Sequence, residues 1–181
     1  MEESPRPGTP DEWSFPERTA VTPHLAPSAP RDAADATIGV MTDTALPEPL
    51  AEIRDEFLEL DPAERLQLLL EYADDLPAVP ASIPDTAFER VAECQSPVFI
   101  ALEVHDGLVR MHAKAPAEAP TTRGFASILV RALTGLPVAD ALGVPDDFPQ
   151  GLGLSQVVSP LRIAGMSGML RRAKRQLAVR L

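Results

Sequence analysis

The chain has little cysteine and few aromatic side chains: among 181 residues there is one Cys, one Trp, one Tyr and six Phe. A single thiol forms no internal disulfide and builds no cysteine-rich metal site. There is no apolar run near the ~18 residues that a membrane-spanning helix requires, so no membrane association is expected. A basic excess is also missing. Asp and Glu number 27 against 16 Lys and Arg, a formal net charge of -11. That balance argues against non-specific nucleic-acid binding, which needs a cationic face to displace counterions. The chain contains no H-E-x-x-H, G-x-S-x-G, Walker loop or G-x-G-x-x-G. GLGLSQ at 151–156 looks like a glycine loop but lacks the strand before it and the helix after it, so it is set aside. No metal or cofactor of the chain's own is signalled.

Proline is plentiful, with 20 residues, and seven of them fall within residues 1–42. This stretch has scattered polar residues and isolated large apolar ones (Trp13, Phe15, Leu25), with no period of 2 or 3.6, and is predicted to be disordered. Periodicity begins abruptly after Met41, which suggests Met41 as the natural initiator and the preceding residues as a dispensable extension. The acidic, proline-rich start is the opposite of a secretory leader, so a reducing cytoplasm is the expected compartment. One domain over residues 43–181 is expected.

From Leu46 the pattern becomes helical: Leu46, Leu50, Ile53, Phe57 and Leu60 share one face. Asp61-Pro62-Ala63-Glu64 reads as a capping box with proline at the first helical position. The helix it opens carries Leu66, Leu69, Leu70 and Ala73 on one side and stops before Pro77, giving two antiparallel helices. Residues 77–92 are punctuated by proline. A hairpin follows: Val98, Ile100, Leu102 and Val104 alternate with Phe99, Ala101, Glu103 and His105, then turn at Asp106-Gly107, and Val109, Met111 and Ala113 return. After APAEAP, Thr121 or Thr122 is expected to cap a helix ended by Gly135. A short helix over 137–142, a loop GVPDDFPQGLG and a last helix from Ser159-Pro160 to about Leu177 complete the reading. The class is α+β, a small antiparallel sheet with helices packed on one side. The last 21 residues carry six Arg and Lys and no acid, while residues 41–160 carry twenty acids and seven bases. Such a basic helix suits its own macrodipole and an acidic body; a docking surface is the other reading.

Cys94 is the residue with a specific chemical case. Free cysteines usually behave as small buried hydrophobes. Here E-C-Q-S-P surrounds the sulfur with polar residues, and Pro97 delays strand pairing, which places Cys94 on a loop before the strand begins. A positive side chain brought from elsewhere would favour the thiolate, while Glu93 next to it opposes it. His24 lies in the proline-rich stretch, and His105 and His112 share strand parity with polar neighbours, which predicts solvated positions. Three readings are open at this point: a reactive thiol nucleophile of unspecified chemistry, a single-cysteine thiol redox protein, and a non-catalytic interaction module.

Cys94-Gln95-Ser96 leading into an apolar strand resembles the C-Q-S signature of the SufE family, the sulfur-accepting partners of cysteine desulfurases in iron–sulfur cluster assembly. LDPAERLQLLLEYADDLPAVP, TTRGFASILVRALTG and LGLSQVVSPLRIAGMSGMLRRAKRQL agree in order and spacing with the family's upstream helix, its (K/R)-G-(L/F) helix and its L-x-x-x-L-(S/T)-P-x-R-x-x-G-(L/M) closing segment. The resemblance covers residues 46–178. It implies a SufE/IscU-like fold and a sulfur acceptor that takes persulfide from a pyridoxal-phosphate desulfurase of the SufS type onto Cys94. It further implies stimulation of that desulfurase and delivery of sulfur to an iron–sulfur scaffold. On that basis the chain is an accessory of the desulfurase more than a stand-alone enzyme, and pyridoxal phosphate belongs to the partner. Gln95 and Ser96 shape the cysteine loop, Arg162 supports it structurally or electrostatically, and Glu118, in a loop facing it, is a docking residue. This chain departs from the family in carrying Glu93 where glycine is usual, and Pro97 after the serine; both bear on loop freedom and thiol acidity.

Overall fold

A computed structural model of the chain describes residues 46–180. The expectations for residues 1–42 and for Met41 as initiator fall outside the described residues. The helix α1, Glu48–Glu59, buries Leu50, Ile53 and Phe57. The helix α2, Pro62–Asp74, starts with the capping box foreseen from sequence. The Asp61 carboxylate accepts from the amides of Ala63 at 2.8 Å and Glu64 at 3.0 Å, and the Glu64 carboxylate accepts from the Asp61 amide at 3.0 Å. No basic residue stands in the last turn of α1. Arg65 of α2 supplies the missing donors instead, reaching the carbonyls of Phe57 at 2.7 Å, Leu58 at 3.3 Å and, far along the chain, Gly153 at 3.0 Å. Phe57 and Tyr72 stack across the two helices with ring centroids 5.9 Å apart.

The sheet has three antiparallel strands in the order β1-β2-β3: Glu89–Arg90, Phe99–His105 and Leu108–Lys114. The two-residue β1 is an addition to the expected hairpin. It is too short to show a period of its own, and only pairing with Ile100 and Phe99 makes it a strand. The hairpin turn has φ of 52° at Asp106 and 77° at Gly107, the paired positive values that match a turn to the right-handed twist of its strands. Ile100, Leu102, Val109, Met111 and Ala113 are buried, as the alternation requires.

The helix α3, Pro120–Leu133, lies between α2 and β3 and is buried along nearly its whole length. Its start differs from expectation. Pro120 occupies the first helical position and Ala119 the cap, with no side-chain capping bond, because proline's fixed φ begins the helix one step before the threonines. Gly124 makes the close approach to α2 possible: a Cβ there would lie 2.2 Å from the Leu69 carbonyl oxygen. Beside it, Arg123 donates to the Ala73 carbonyl at 2.7 Å and to that of Ala115 at 3.0 Å, fastening the end of α2 and the exit of β3 to α3. The arginine–glycine pair is therefore a packing device.

The short helix α4 spans Val138–Gly143; one 3-10 turn, Phe148–Leu152, lies within the expected loop and a second, Leu154–Gln156, follows it. They exist because Leu152 and Leu154 are fully buried. The helix α5, Pro160–Ala178, crosses β2. Its cations are largely spent inside the molecule: Arg172 and Arg175 pair with Glu89, Arg172 also with Glu93, and Lys174 with Asp146. The architecture is α+β, a small antiparallel sheet with helices packed against it.

Candidate functional site

Cys94 lies in the loop between β1 and β2, as the polar residues around it suggest. The β1–β2 ladder closes with the Val91 amide donating to the Val98 carbonyl at 2.9 Å, and the chain then turns tightly, the Cys94 amide donating to the Val91 carbonyl at 3.2 Å. Pro97 falls outside these bonds, so its missing donor removes none of them. Glu93 needs no glycine-like backbone. Asp106 is the one non-glycine residue with positive φ among the described residues.

The side chain of Cys94 turns inward. Only 8% of the residue is exposed, and Sγ donates to the Gly165 carbonyl at 3.6 Å. The loop rests on α5 through two glycines one helical turn apart. A Cβ on Gly165 would stand 3.3 Å from Sγ, and one on Gly168 would stand 2.6 Å from the Glu93 Cβ. Burial, followed by the charge of Glu93, pushes the thiol up from 9.0 to about 11, with Arg172 pulling weakly the other way. The carboxylate of Glu93 is itself held below the usual range. Burial opposes this, and hydrogen bonding to its own backbone, the hydrogen bonds and charge of Arg172, and the charge of Arg171 outweigh it.

Cys94 borders a cavity of about 200 Å³. Gln95 and Ser96 form its rim on the cysteine loop, Glu118 comes from the loop after β3, and Arg162 from the first turn of α5. Thr121 and Thr122, in the first turn of α3, close another side, and the Arg162 guanidinium donates to Thr121 Oγ1 at 3.5 Å. All five residues singled out from sequence thus border one space. Arg162 has no carboxylate within 4.0 Å among the described residues, unlike Arg172, Arg175 and Lys174. His24 lies outside the described residues; His105 and His112 stand apart from this cavity. His105 is exposed, as expected from its parity. The side chain of His112 is only 16% exposed and lies 3.3 Å from Glu103 Oε2. Its strand face is covered where it borders a groove with Pro77 and Ala78, so a solvated position was the wrong expectation for it.

The SufE family, described as an Fe-S metabolism associated domain, matches residues 51–177. The chain belongs to the SufE family. It is 53% identical over 134 residues to an uncharacterized SufE-like protein of Mycobacterium tuberculosis, a match that spans 74% of this chain and 94% of the relative. The SufE-like protein 1, chloroplastic/mitochondrial, of Arabidopsis thaliana is 31% identical over 127 residues, 70% of this chain and 34% of that longer protein. Among solved structures, a hypothetical protein from Thermus thermophilus superimposes with a TM-score of 0.67 at 36% identity, over 74% of this chain and 96% of that one.

Within this SufE-family chain the closing segment has a geometric reason. Arg162 and Gly165 are three residues apart on α5, so the charge at the cavity and the gap that admits Cys94 share one helix face. Sequence reasoning missed Gly168 and Arg172, which hold Glu93, and the two threonines as cavity walls. The Gly165-x-x-Gly168 spacing was a readable sign of a close approach to α5. What approaches it was not readable.

Proposed function

We propose that Cys94 is the acceptor of persulfide sulfur from a pyridoxal-phosphate cysteine desulfurase of the SufS type. The observation that carries this reading is the convergence of Gln95, Ser96, Glu118 and Arg162 on the cavity beside Cys94. The space is several times the ~30 Å³ share of a water molecule, enough for an added sulfur atom. In the transfer, the Cys94 thiolate attacks the terminal sulfur of the desulfurase persulfide. The sulfur–sulfur bond of the donor breaks, its cysteine leaves as thiolate, and Cys94 carries the persulfide, with charge and atoms balanced and no outside oxidant. Arg162, with no carboxylate partner among the described residues, supplies positive charge where the persulfide anion rests. Gln95 and Ser96 shape the loop, and Glu118, exposed at the rim, meets the desulfurase.

Removing sulfur from the desulfurase raises its turnover, and the loaded chain then passes sulfur to an iron–sulfur scaffold. Cys94 is the sole thiol of the chain, so no second cysteine within it resolves the persulfide. A cytoplasmic, reducing setting belongs to the same proposal. The test is to incubate the protein with a desulfurase, pyridoxal phosphate and cysteine and measure its intact mass. The expected result is addition of sulfur on Cys94, absent in Cys94→Ser, with faster sulfide release by the desulfurase. Oxygen adducts and peroxide turnover without sulfur addition would favour the thiol redox reading. Partner binding that is indifferent to Cys94→Ser, with no mass change, would favour an interaction module.

A further inference from the structure

Three ion pairs tie β1 and the cysteine loop to α5, and one of them, Arg172–Glu93, is made by the loop itself. Arg172 Nη2 donates to both carboxylate oxygens of Glu93 at 2.9 Å, while its Nη1 pairs with Glu89 on β1. Arg175 and Gln176 also donate to that Glu89 carboxylate, at 2.8 Å and 3.1 Å. Gln176 in turn accepts from the Leu102 amide at 3.1 Å and donates to the Ile100 carbonyl at 3.3 Å, so this end of the network is anchored in β2. Among the described residues, the side-chain hydrogen bonds that Glu93 makes with other residues all come from Arg172, and its stem lies on the bare backbone of Gly168. Glu93 immediately precedes Cys94, and the Cys94 sulfur is sealed one helical turn away against Gly165.

We infer that the Glu93–Arg172 ion pair is a latch that holds the Cys94 segment against α5 and sets how readily it swings outward. The inference rests on the proposed sulfur transfer for its purpose but not for its test. An inward thiol cannot receive sulfur from another protein's cysteine until its loop leaves Gly165. The bond that must yield with it is the one formed by the residue next to it. Arg172 is mostly covered, its side chain 14% exposed, whereas the Glu93 side chain is 39% exposed. Glu93 is therefore the handle, and a cationic group on the partner is the feature that would draw it away from Arg172.

The two residues also act on the thiol by charge, and the test separates the two effects. Cys94 is faced by Glu93 and by Arg172, and Glu93 additionally by Arg171. By charge alone, Glu93→Gln makes the thiol more reactive and Arg172→Gln makes it less so. A latch makes both variants open more often. Opening is read without the thiol, from hydrogen exchange of the Cys94 amide, which is bonded to Val91 in the closed loop. The expected result is exchange about three- to fivefold faster in Glu93→Gln, the size of effect a partly covered ion pair supports, with a smaller acceleration of the wild type in high salt. Arg172→Gln should accelerate it at least as much.

The amide of Leu102, bonded to Gln176, serves as the control for loosening of the whole fold; should it quicken in Arg172→Gln, Glu93→Gln alone decides. Unchanged Cys94 amide exchange in Glu93→Gln overturns the latch. Sulfur loading by a desulfurase is scored separately. Faster exchange without any sulfur gain leaves the latch standing and removes the proposed function, and the reverse pattern does the opposite.

Discussion

The acidity of Cys94 gives a measurable reactivity. Burial and Glu93 take the thiol from 9.0 to about 11. At pH 7.5 the thiolate fraction is then about a hundredfold below that of an unshifted cysteine. A more basic thiolate is also a better nucleophile. With a Brønsted slope of about 0.4–0.5, the same shift returns a factor of roughly six to ten. The net effect is attack on a small disulfide about tenfold slower than by an exposed cysteine, before any steric shielding by Gly165. Because Cys94 is the only thiol of the chain, release of thiopyridone from dithiodipyridine reports it alone. The observed rate should climb about one decade per pH unit from pH 7 to beyond pH 10, with no plateau near 9. If a desulfurase draws the loop outward, as proposed above, adding it should speed the reaction. A levelling-off between pH 8 and 9, at a rate matching free cysteine, would refute the buried, charge-opposed thiol on which this reasoning stands.

Other outcomes follow from the same geometry. The raised thiol makes stability depend on alkali. The unfolded chain gives up the Cys94 proton near 9.0 and the folded one near 11, so stability is complete below 9 and falls as pH rises through that window. Unfolding free energies of wild type and Cys94→Ala, from denaturant curves, should therefore converge by up to about 2–3 kcal/mol between pH 8 and 11, and parallel pH dependences would contradict the shift. Gly124→Ala forces a methyl against the Leu69 carbonyl and should cost at least about 2 kcal/mol in urea unfolding, by prying α2 from α3. A midpoint unchanged from wild type would show that these helices have slack. Asp61→Ala removes the acceptor for two amides at the start of α2 and should cost about 1 kcal/mol in the same assay, without altering dithiodipyridine kinetics at Cys94.

Local chemistry was legible in the chain wherever one segment is self-sufficient. The Asp61 capping box, the Asp106-Gly107 turn and the alternation of the hairpin each need only neighbouring residues, and each stands where the sequence puts it. The polar E-C-Q-S-P stretch likewise placed Cys94 on a loop, because a proline and a run of polar side chains defer pairing. Where neighbours did not suffice, expectation and structure part. Thr121 and Thr122 look like caps but lie inside the helix that Pro120 begins, and β1 is a strand solely because β2 lies beside it. His112 is covered on the face its parity assigns to solvent.

For the cysteine, the sequence by itself determined that one thiol exists, that a carboxylate precedes it, and that it lies on a loop. Whether that thiol faces solvent or protein, and whether Glu93 is free or held, was decided by α5, some 70 residues further along. The reason is physical: desolvation and ion pairing depend on what occupies the space around a group, and that space is filled by residues distant in the chain. Gly165 and Gly168 leave the hollow that takes the sulfur and the stem of Glu93, and Arg172 supplies the opposing charge. Only the packed helix brings the three to one loop.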